Sequence, residues 1–201
     1  MVTTLTKPKR RERKVPDYLI KEVIDGKPVY YKGYRSVLFG QKKLEDIMGA
    51  SSLQAFLIFY LNALLIRNLE EDKYFIFTGE PGVHVERRHN FSGDLLVYEV
   101  SQITKIDKHY FDIPPVLQVE VDIDIDNSNF SNNEYLTAKT RSLLAFGVQK
   151  IVWVLSSTQT VIVAEPEQDW RIIDWNKDIE LLPGIAMNIG AYLTKMNVVL
   201  E

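Results

Sequence analysis

Residues 119–126 read VEVDIDID, and this stretch decides the fold of the chain. Successive side chains of a β-strand point to opposite sides of the sheet, so apolar residues share one face and acidic residues the other. The acidic face consists of Glu120, Asp122, Asp124 and Asp126. Because strands disfavour Asp and like charges on one face repel, this row of carboxylates requires an explanation.

The segments around this strand predict a mixed sheet with helices packed against it. Asp25-Gly26 predicts a hairpin within 18–34, and apolar spacing behind Ser51 or Ser52 predicts a long helix at 52–69. Further strands are predicted at 74–79, 83–88, 94–100, 114–123, 151–156, 160–165 and 169–174. Shorter helices are predicted at 42–49, at 135–147 behind an Asn cap in 127–134, and around 189–195. The fold class is therefore α/β, or α+β, with an N-terminal hairpin added to the mixed sheet.

The composition is typical of a globular protein with one domain, which we place at residues 16–201. The 24 basic and 27 acidic residues give a net charge of −3, which is not the basic balance typical of a nucleic-acid binder. The longest apolar stretch, 53–66, is shorter than the roughly 20 residues of a spanning helix. With no cysteine and no apolar leader in the sequence, we expect a cytoplasmic protein without membrane association.

Residues 1–15 predict a flexible basic tail. Its segment KPKRRERK, at 7–14, contains six basic residues and one acid. Such a tail is either a solvated terminus or an arm that contacts nucleic-acid phosphates.

Three explanations account for the acidic face of the 119–126 strand. The carboxylates face water, they pair with Lys or Arg of a neighbouring strand, or they bind a divalent metal. Two carboxylates ~4 Å apart repel by roughly 4 kcal/mol at an effective dielectric constant of 20. A hard cation such as Mg²⁺ removes this repulsion and prefers oxygen ligands.

Two further residues make the metal hypothesis more specific. Asp94 opens the apolar strand LLVY directly after Ser92-Gly93, where it either caps a turn or converges with Glu120 on one ion. Lys139 lies in the predicted helix at 135–147, near its apolar positions. It is either a Lys whose stem covers apolar surface or a cation directed toward the carboxylates. Because Ala is favoured within helices, we expect Lys139→Ala to cost little stability.

Taken in order, DLLVY (94–98), PPVLQVEVD (114–122) and YLTAKTRSLLAFGVQKIVWVLS (135–156) resemble the Uma-two family of predicted restriction endonucleases. That family belongs to the PD-(D/E)XK nuclease-like superfamily. The matching positions are Asp94, Glu120-Val121, Lys139 ahead of Gly147-Val148, and Trp153, and the resemblance covers most of residues 40–195.

The resemblance implies a restriction-endonuclease-like fold and metal-dependent hydrolysis of DNA phosphodiester bonds. It implies that Asp94, Glu120 and the Val121 carbonyl hold Mg²⁺ or Mn²⁺, and that Lys139 orients the attacking water or stabilises the transition state. Asp122 adds an outer-sphere or second-metal contact, and Glu45 is a weaker candidate. We further expect DNA as the partner and a homodimer as the assembly.

The sequence departs from the family pattern at three positions. Gly93 precedes Asp94 where the family often has Pro, Asp122 stands two residues after Glu120 where the superfamily often has Lys, and Gln54 stands where the family often has His. The alternatives to an active enzyme are therefore a non-catalytic nuclease-fold module that binds nucleic acid or a protein, and a structural protein with a solvated acidic strand. The absence of GxGxxG, Walker and GxSxG motifs gives nucleotide-dependent and serine-hydrolase chemistry no support.

Overall fold

The computed structural model describes residues 14–86, 89–123 and 125–200. Residues 1–13 of the predicted tail therefore lie outside the described residues, which begin at Lys14. Val15 packs against a small apolar cluster formed by Leu19, Tyr34 and Ile47. The folded unit thus begins within the segment predicted as tail.

The N-terminal hairpin is confirmed. Strands β1 (Ile20–Ile24) and β2 (Lys27–Tyr30) pair antiparallel across Asp25 and Gly26, whose φ angles are 49° and 73°. Two consecutive left-handed residues form the turn whose twist matches that of the strands. A short helix that the sequence did not predict, α1 (Tyr34–Leu38), follows, and a 3₁₀ turn spans Leu44–Ile47 where a helix was predicted.

The longer helices begin and end at capping residues. Helix α2 (Ser52–Asn68) begins after Ser51, whose hydroxyl accepts a hydrogen bond from the Gln54 amide at 3.1 Å. Helix α3 (Asn132–Phe146) begins three residues earlier than predicted, because Ser131 and not an Asn is its cap. Gly147, at φ 114°, ends α3 as expected. Helix α4 (Ile189–Lys195) completes the set.

A six-stranded mixed sheet forms the centre of the molecule. Its strands in chain order are β3 (Tyr74–Thr78), β6 (Leu95–Glu99), β7 (Leu117–Val121), β8 (Lys150–Leu155), β9 (Thr160–Ala164) and β10 (Arg171–Asp174). Their spatial order is β10-β9-β8-β7-β6-β3. Only β7 and β8 pair in parallel among these neighbours, with α3 as the crossover between them. The predicted mixed sheet flanked by helices is confirmed.

Two small hairpins lie outside this sheet. One consists of β4 (Gly82–Glu86) and β5 (His89–Ser92), where the sequence predicted a single strand at 83–88. The other consists of β11 (Ile179–Leu182) and β12 (Ile185–Met187). The first hairpin packs against β1, which places the end of β5 beneath the N-terminal hairpin.

Strand β7 is buried on both faces. Leu117, Val119 and Val121 join the apolar core that includes α2 and α4. Gln118 and Glu120 point to the other face, where α3 and the N-terminal hairpin contribute to a second apolar cluster around Trp153. Glu120 is therefore a carboxylate inside the protein and not on a wet face.

The alternation predicted for 119–126 is wrong beyond Val121. The Asp122 amide makes a last ladder bond to the Val154 carbonyl, and the strand ends there because Asp122 has a left-handed φ of 61°. Asp124 lies outside the described residues, and the carboxylate of Asp126 accepts bonds from the Ser128 amide and hydroxyl. The three described acids, Glu120, Asp122 and Asp126, do not form one row.

Within the described residues, no helix has the length and apolar character that a membrane span requires.

Candidate functional site

Asp94 directly precedes β6, and Glu120 lies on the neighbouring strand β7. Strands β6 and β7 pair antiparallel, the register ends with Leu95 opposite Val119, and Asp94 and Glu120 are the next residues beyond this pair along the chain. Both carboxyl groups line one small cavity of about 20 Å³.

Asp94 opens its strand because its side chain completes the hydrogen bonding of β7. Its Oδ2 accepts a bond from the Val121 amide at 2.6 Å, while its own amide donates to the Val119 carbonyl at 3.2 Å. The side chain thus replaces a main-chain acceptor where the strand pairing ends. Burial raises the pKa of Asp94, and the Val121 amide and nearby Lys139 act in the opposite direction.

Close packing of side chains around position 93 explains why the residue before Asp94 is a glycine. A Cβ at position 93 would lie 2.8 Å from the Leu96 side chain and 3.0 Å from the Gln118 amide nitrogen. That nitrogen donates to Glu120 Oε1 at 2.6 Å, so it is already fixed. A proline at position 93 would meet this side chain, which gives a physical reason for the glycine at this position.

Glu120 is a carboxyl group held in a nearly dry environment. It is 7% exposed, and burial raises its pKa to about 7, with the charges of Asp94 and Glu22 adding to the rise and Lys139 opposing it. At neutral pH the carboxyl group is therefore partly protonated, and any cation that binds beside it competes with that proton.

Lys139 is the buried cation of the site. Its Nζ lies 3.1 Å from Glu120 Oε1, and it donates to Glu22 Oε1 at 2.9 Å and to the Ser92 carbonyl at 2.7 Å. The rings of Phe91, Tyr135 and Trp153 have their centroids 5.6–5.8 Å from the same nitrogen. Lys139 is 1% exposed, so it does not reach into bulk water.

Two carboxylates keep Lys139 protonated. Burial by itself lowers the pKa of a lysine, but Glu120 and Glu22 outweigh burial and raise the pKa of Lys139 well above its ordinary value. An ammonium with such a pKa cannot remove a proton from water at neutral pH. Lys139 can therefore act as a fixed positive charge but not as a general base.

Val121 and Asp122 stand at the end of β7, where their polar groups have partners. The Val121 carbonyl accepts a bond from the Gln54 side-chain amide at 3.1 Å. Both carboxylate oxygens of Asp122 accept bonds from Ser156, at 2.6 Å from its amide and 2.7 Å from its hydroxyl. Asp122 also lines the cavity, and its proposed metal contact competes with these two bonds.

The structure brings together Asp94, Glu120, Val121 and Lys139, whereas Glu45 stands apart. Glu45 is exposed on the Leu44–Ile47 turn, pairs with Lys43 at 3.3 Å, and does not line the cavity. An open cleft of about 480 Å³ shares Asp94, Gln54, Lys21 and Glu80 with the small cavity, so Asp94 can be reached from outside. A comparable cavity of about 510 Å³ lies along 102–113 and touches none of these residues.

Comparison with known proteins identifies the architecture. No family model matches the chain, and no curated protein matches it. The crystal structure of a "putative nuclease belonging to DUF820" from Anabaena variabilis matches with a TM-score of 0.60 over 86% of this chain and 89% of that one. The chain has a nuclease-like fold. Because the two sequences are 17% identical, the likeness shows the fold alone.

Within the nuclease-like fold, the open oxygens of the site fit a divalent cation. The second oxygens of Asp94 and Glu120 accept no hydrogen bond from any part of the chain that the structure describes. The described residues contain no group of three His, Asp or Glu arranged for a metal. Mg²⁺ needs no such group, because it retains several waters and binds through one or two carboxylates together with substrate phosphate.

The balance of charge favours the same conclusion. Three carboxyl groups, those of Asp94, Glu120 and Glu22, lie near the ammonium of Lys139, and Lys21, which also lines the cavity, adds a second positive charge near Asp94. The excess negative charge contributes to the raised pKa of Glu120, and a bound cation relieves it.

Sequence reasoning missed Glu22, which is 4% exposed and contacts Lys139 directly. A signal for it was present, because Ile20, Glu22 and Ile24 alternate in β1 and a strand places such residues on one face. An acid between two isoleucines on an inward face requires a buried partner. Nothing local to β1 identified that partner as Lys139.

Proposed function

We propose that this protein is a metal-dependent endonuclease that hydrolyses phosphodiester bonds in DNA. The observation that carries the proposal is that Asp94, Glu120 and buried Lys139 line one small cavity, with the ammonium of Lys139 3.1 Å from Glu120. Two carboxylates beside a fixed cation, within a nuclease-like fold, suit the stabilisation of charge on a phosphate. DNA as the partner and a homodimer as the assembly stay predictions.

Each residue has a distinct role in this proposal. Asp94, Glu120 and the Val121 carbonyl would hold Mg²⁺ or Mn²⁺, which polarises the scissile phosphate and lowers the pKa of a bound water. Lys139 stays protonated beside Glu120 and contributes positive charge where negative charge develops. Gln54 donates to the Val121 carbonyl and so helps to fix its direction.

The dimensions of the site suit entry of phosphate from the larger cleft. The cavity of about 20 Å³ has room for about one water or ion and none for a nucleotide. The cleft of about 480 Å³ has far more room, and Asp94 borders both spaces. In this arrangement Asp94 would hold the ion where the small cavity meets the larger cleft.

The test is cleavage of supercoiled plasmid and of single-stranded DNA with Mg²⁺, with Mn²⁺ and with chelator. The wild type should cleave at least one substrate only with metal, and Glu120→Ala should lower the rate by about 10²–10³-fold. Glu45→Gln is the matched control, because it removes an exposed carboxylate outside the cavity. Absence of metal-dependent cleavage of both substrates, or full activity of Glu120→Ala, would overturn the proposal.

A non-catalytic module that binds nucleic acid or a protein is the second candidate. It is favoured by the partners of Lys139, since its ammonium already donates to Glu22, to the Ser92 carbonyl and to the Tyr135 hydroxyl, and pairs with Glu120 at 3.1 Å. A catalytic Lys139 must give up or share one of these bonds when phosphate enters. Metal-independent DNA binding without cleavage would favour this candidate.

A further inference from the structure

Glu22 connects three segments that are distant in the sequence. From strand β1, its Oε1 accepts bonds from the Ser92 amide at 3.1 Å and from Lys139 Nζ at 2.9 Å. Its Oε2 accepts a bond from the Tyr135 hydroxyl at 2.7 Å. One buried carboxylate therefore ties the N-terminal hairpin to the end of β5 and to helix α3.

The main chain of Ser92 is held from both sides by this arrangement. Its amide donates to Glu22, and its carbonyl accepts from Lys139 at 2.7 Å. Ser92 stands two residues before Asp94, and Gly93 between them has no side chain to add support. The position of Ser92 therefore constrains the backbone position of Asp94 and the start of β6.

Lys139 needs a second carboxylate if Glu120 binds a cation. In the structure the ammonium is shared between Glu120 and Glu22. A divalent ion beside Glu120 would repel the ammonium of Lys139. It would also interact with the Glu120 carboxylate that now pairs with this ammonium. Glu22 bonds to Lys139 from a different element, so it can retain the ammonium in place when the charge of Glu120 is taken up.

We infer that Glu22 is a positioning residue of the site. It holds the ammonium of Lys139 beside Glu120 and, through Ser92, holds the segment that places Asp94. The consequence for catalysis rests on the proposed function, whereas the contact between Glu22 and Lys139 can be tested without any activity.

The hairpin has other attachments, so a change at Glu22 can be separated from undocking. Tyr31 forms a bridge to Ile125, and the Asp126 amide donates to the Tyr30 carbonyl at 2.9 Å. The Asn129 side chain donates to the Pro28 carbonyl at 2.8 Å. These bonds do not involve Glu22, so Glu22→Gln should leave the hairpin in place.

The first measurement is the ¹⁵N resonance of the Lys139 ammonium, assigned by its loss in Lys139→Met. In the wild type the burial and bonds of the group should keep its protons in slow exchange with water. Glu22→Gln retains the shape and one acceptor oxygen but removes the charge, and should accelerate this exchange by about tenfold or more. Glu45→Gln, the control, should leave the resonance unchanged.

The second measurement is steady-state cleavage. Glu22→Gln should lower kcat by about 10–100-fold with KM within about threefold, because misplacement of Lys139 and Asp94 affects the transition state more than binding. Glu22→Asp keeps the charge and should recover part of the loss. Inactivity of the wild type would reject the proposed function and leave the ammonium result to decide the positioning role.

Unchanged exchange of the Lys139 ammonium in folded Glu22→Gln would overturn the inference. If that variant does not fold, the same resonance in Glu22→Asp decides, since a carboxylate shortened by one methylene should still accelerate exchange. Wild-type exchange in Glu22→Asp would reject the positioning role as well. Equal loss of kcat in Glu22→Asp and Glu22→Gln, with the ammonium unaffected, would assign Glu22 to folding alone.

Discussion

The ammonium of Lys139 lies 3.1 Å from the carboxylate of Glu120, in the interior of the protein and not at its surface. Helix α3 carries Lys139 over the face of the sheet where Glu120 points, so the crossover between the parallel strands β7 and β8 brings the two together. Glu22 of the N-terminal hairpin contacts the same ammonium at 2.9 Å. This burial determines how substitutions in the site should behave.

Lys139→Met should destabilise the protein by about 3–5 kcal/mol, because it leaves Glu22 and Glu120 buried without their shared cation. This replaces the expectation from helix propensity that Lys139→Ala costs little. Arg141→Met, on the exposed side of the same helix, should change stability by less than about 0.5 kcal/mol. Denaturant unfolding measures both, and equal stability of the two variants would contradict the buried pair.

Glu120→Gln should become more stable relative to the wild type as the pH rises. The pKa of Glu120 is about 7 in the folded protein against 4.5 for the free group, so the folded state holds the proton more tightly. Stability contributed by this group is full below pH 4.5 and is lost as the pH rises to about 7. The shift corresponds to about 3 kcal/mol at 1.36 kcal/mol per pKa unit. Unfolding at pH 4.5 and pH 8 measures it, and a difference independent of pH would contradict it.

Mn²⁺ should raise the stability of the wild type by about 2.7 kcal/mol at a hundred times its dissociation constant. Asp94→Asn should lose most of this gain, because an amide replaces one of the two carboxylates proposed to hold the ion, among the four acidic residues that line the cavity. The gain should be larger at pH 8 than at pH 6, since protons compete for Glu120. Thermal melts with and without metal provide the measurement, with Glu45→Gln as control. A melting temperature unaffected by millimolar Mn²⁺ at both pH values would favour the non-catalytic module.

Asp122 offers a test of its predicted metal contact. Asp122→Ala should cost about 2–3 kcal/mol, because it removes both bonds to Ser156 and places an alanine at φ 61°, where its Cβ is strained. Asp122→Asn tolerates that φ and keeps one acceptor, so it should cost less. We expect both variants to retain the stabilisation by Mn²⁺. Its loss in Asp122→Asn would make Asp122 a ligand, as the resemblance implies.

Deletion of residues 1–13 should weaken DNA binding and leave the fold intact. The deleted segment carries five basic residues and one acid. For each phosphate that the tail neutralises in the full chain, its deletion should reduce the slope of log affinity against log salt by about 0.9 for duplex DNA. Binding measured between low and moderate salt tests this, with thermal stability as the control. An unchanged slope would reject the tail as a DNA-binding arm.

Much of the fold follows from local signals in the sequence. Asp25-Gly26 specifies a left-handed two-residue turn, Ser51 caps α2, and Gly147 ends α3, and each acts through bonds to its immediate neighbours. The apolar alternation of Leu117, Val119 and Val121 likewise predicts a buried strand face. Asp94, Glu120 and Lys139 could be selected because each residue type is unusual in its local setting.

The tertiary structure decided which charges meet. Asp122 departs from strand geometry at φ 61°, and its carboxylate accepts two bonds from Ser156 on a different segment. No alternation pattern in the sequence contains that information. Glu22 is 117 residues from Lys139 and reaches it only because the hairpin packs over α3 and the sheet. A buried charge is stable only beside a partner, and the chain can supply that partner from any distance. Sequence therefore determined that the site contains acids and a lysine, whereas packing determined that the lysine is shared between two of them.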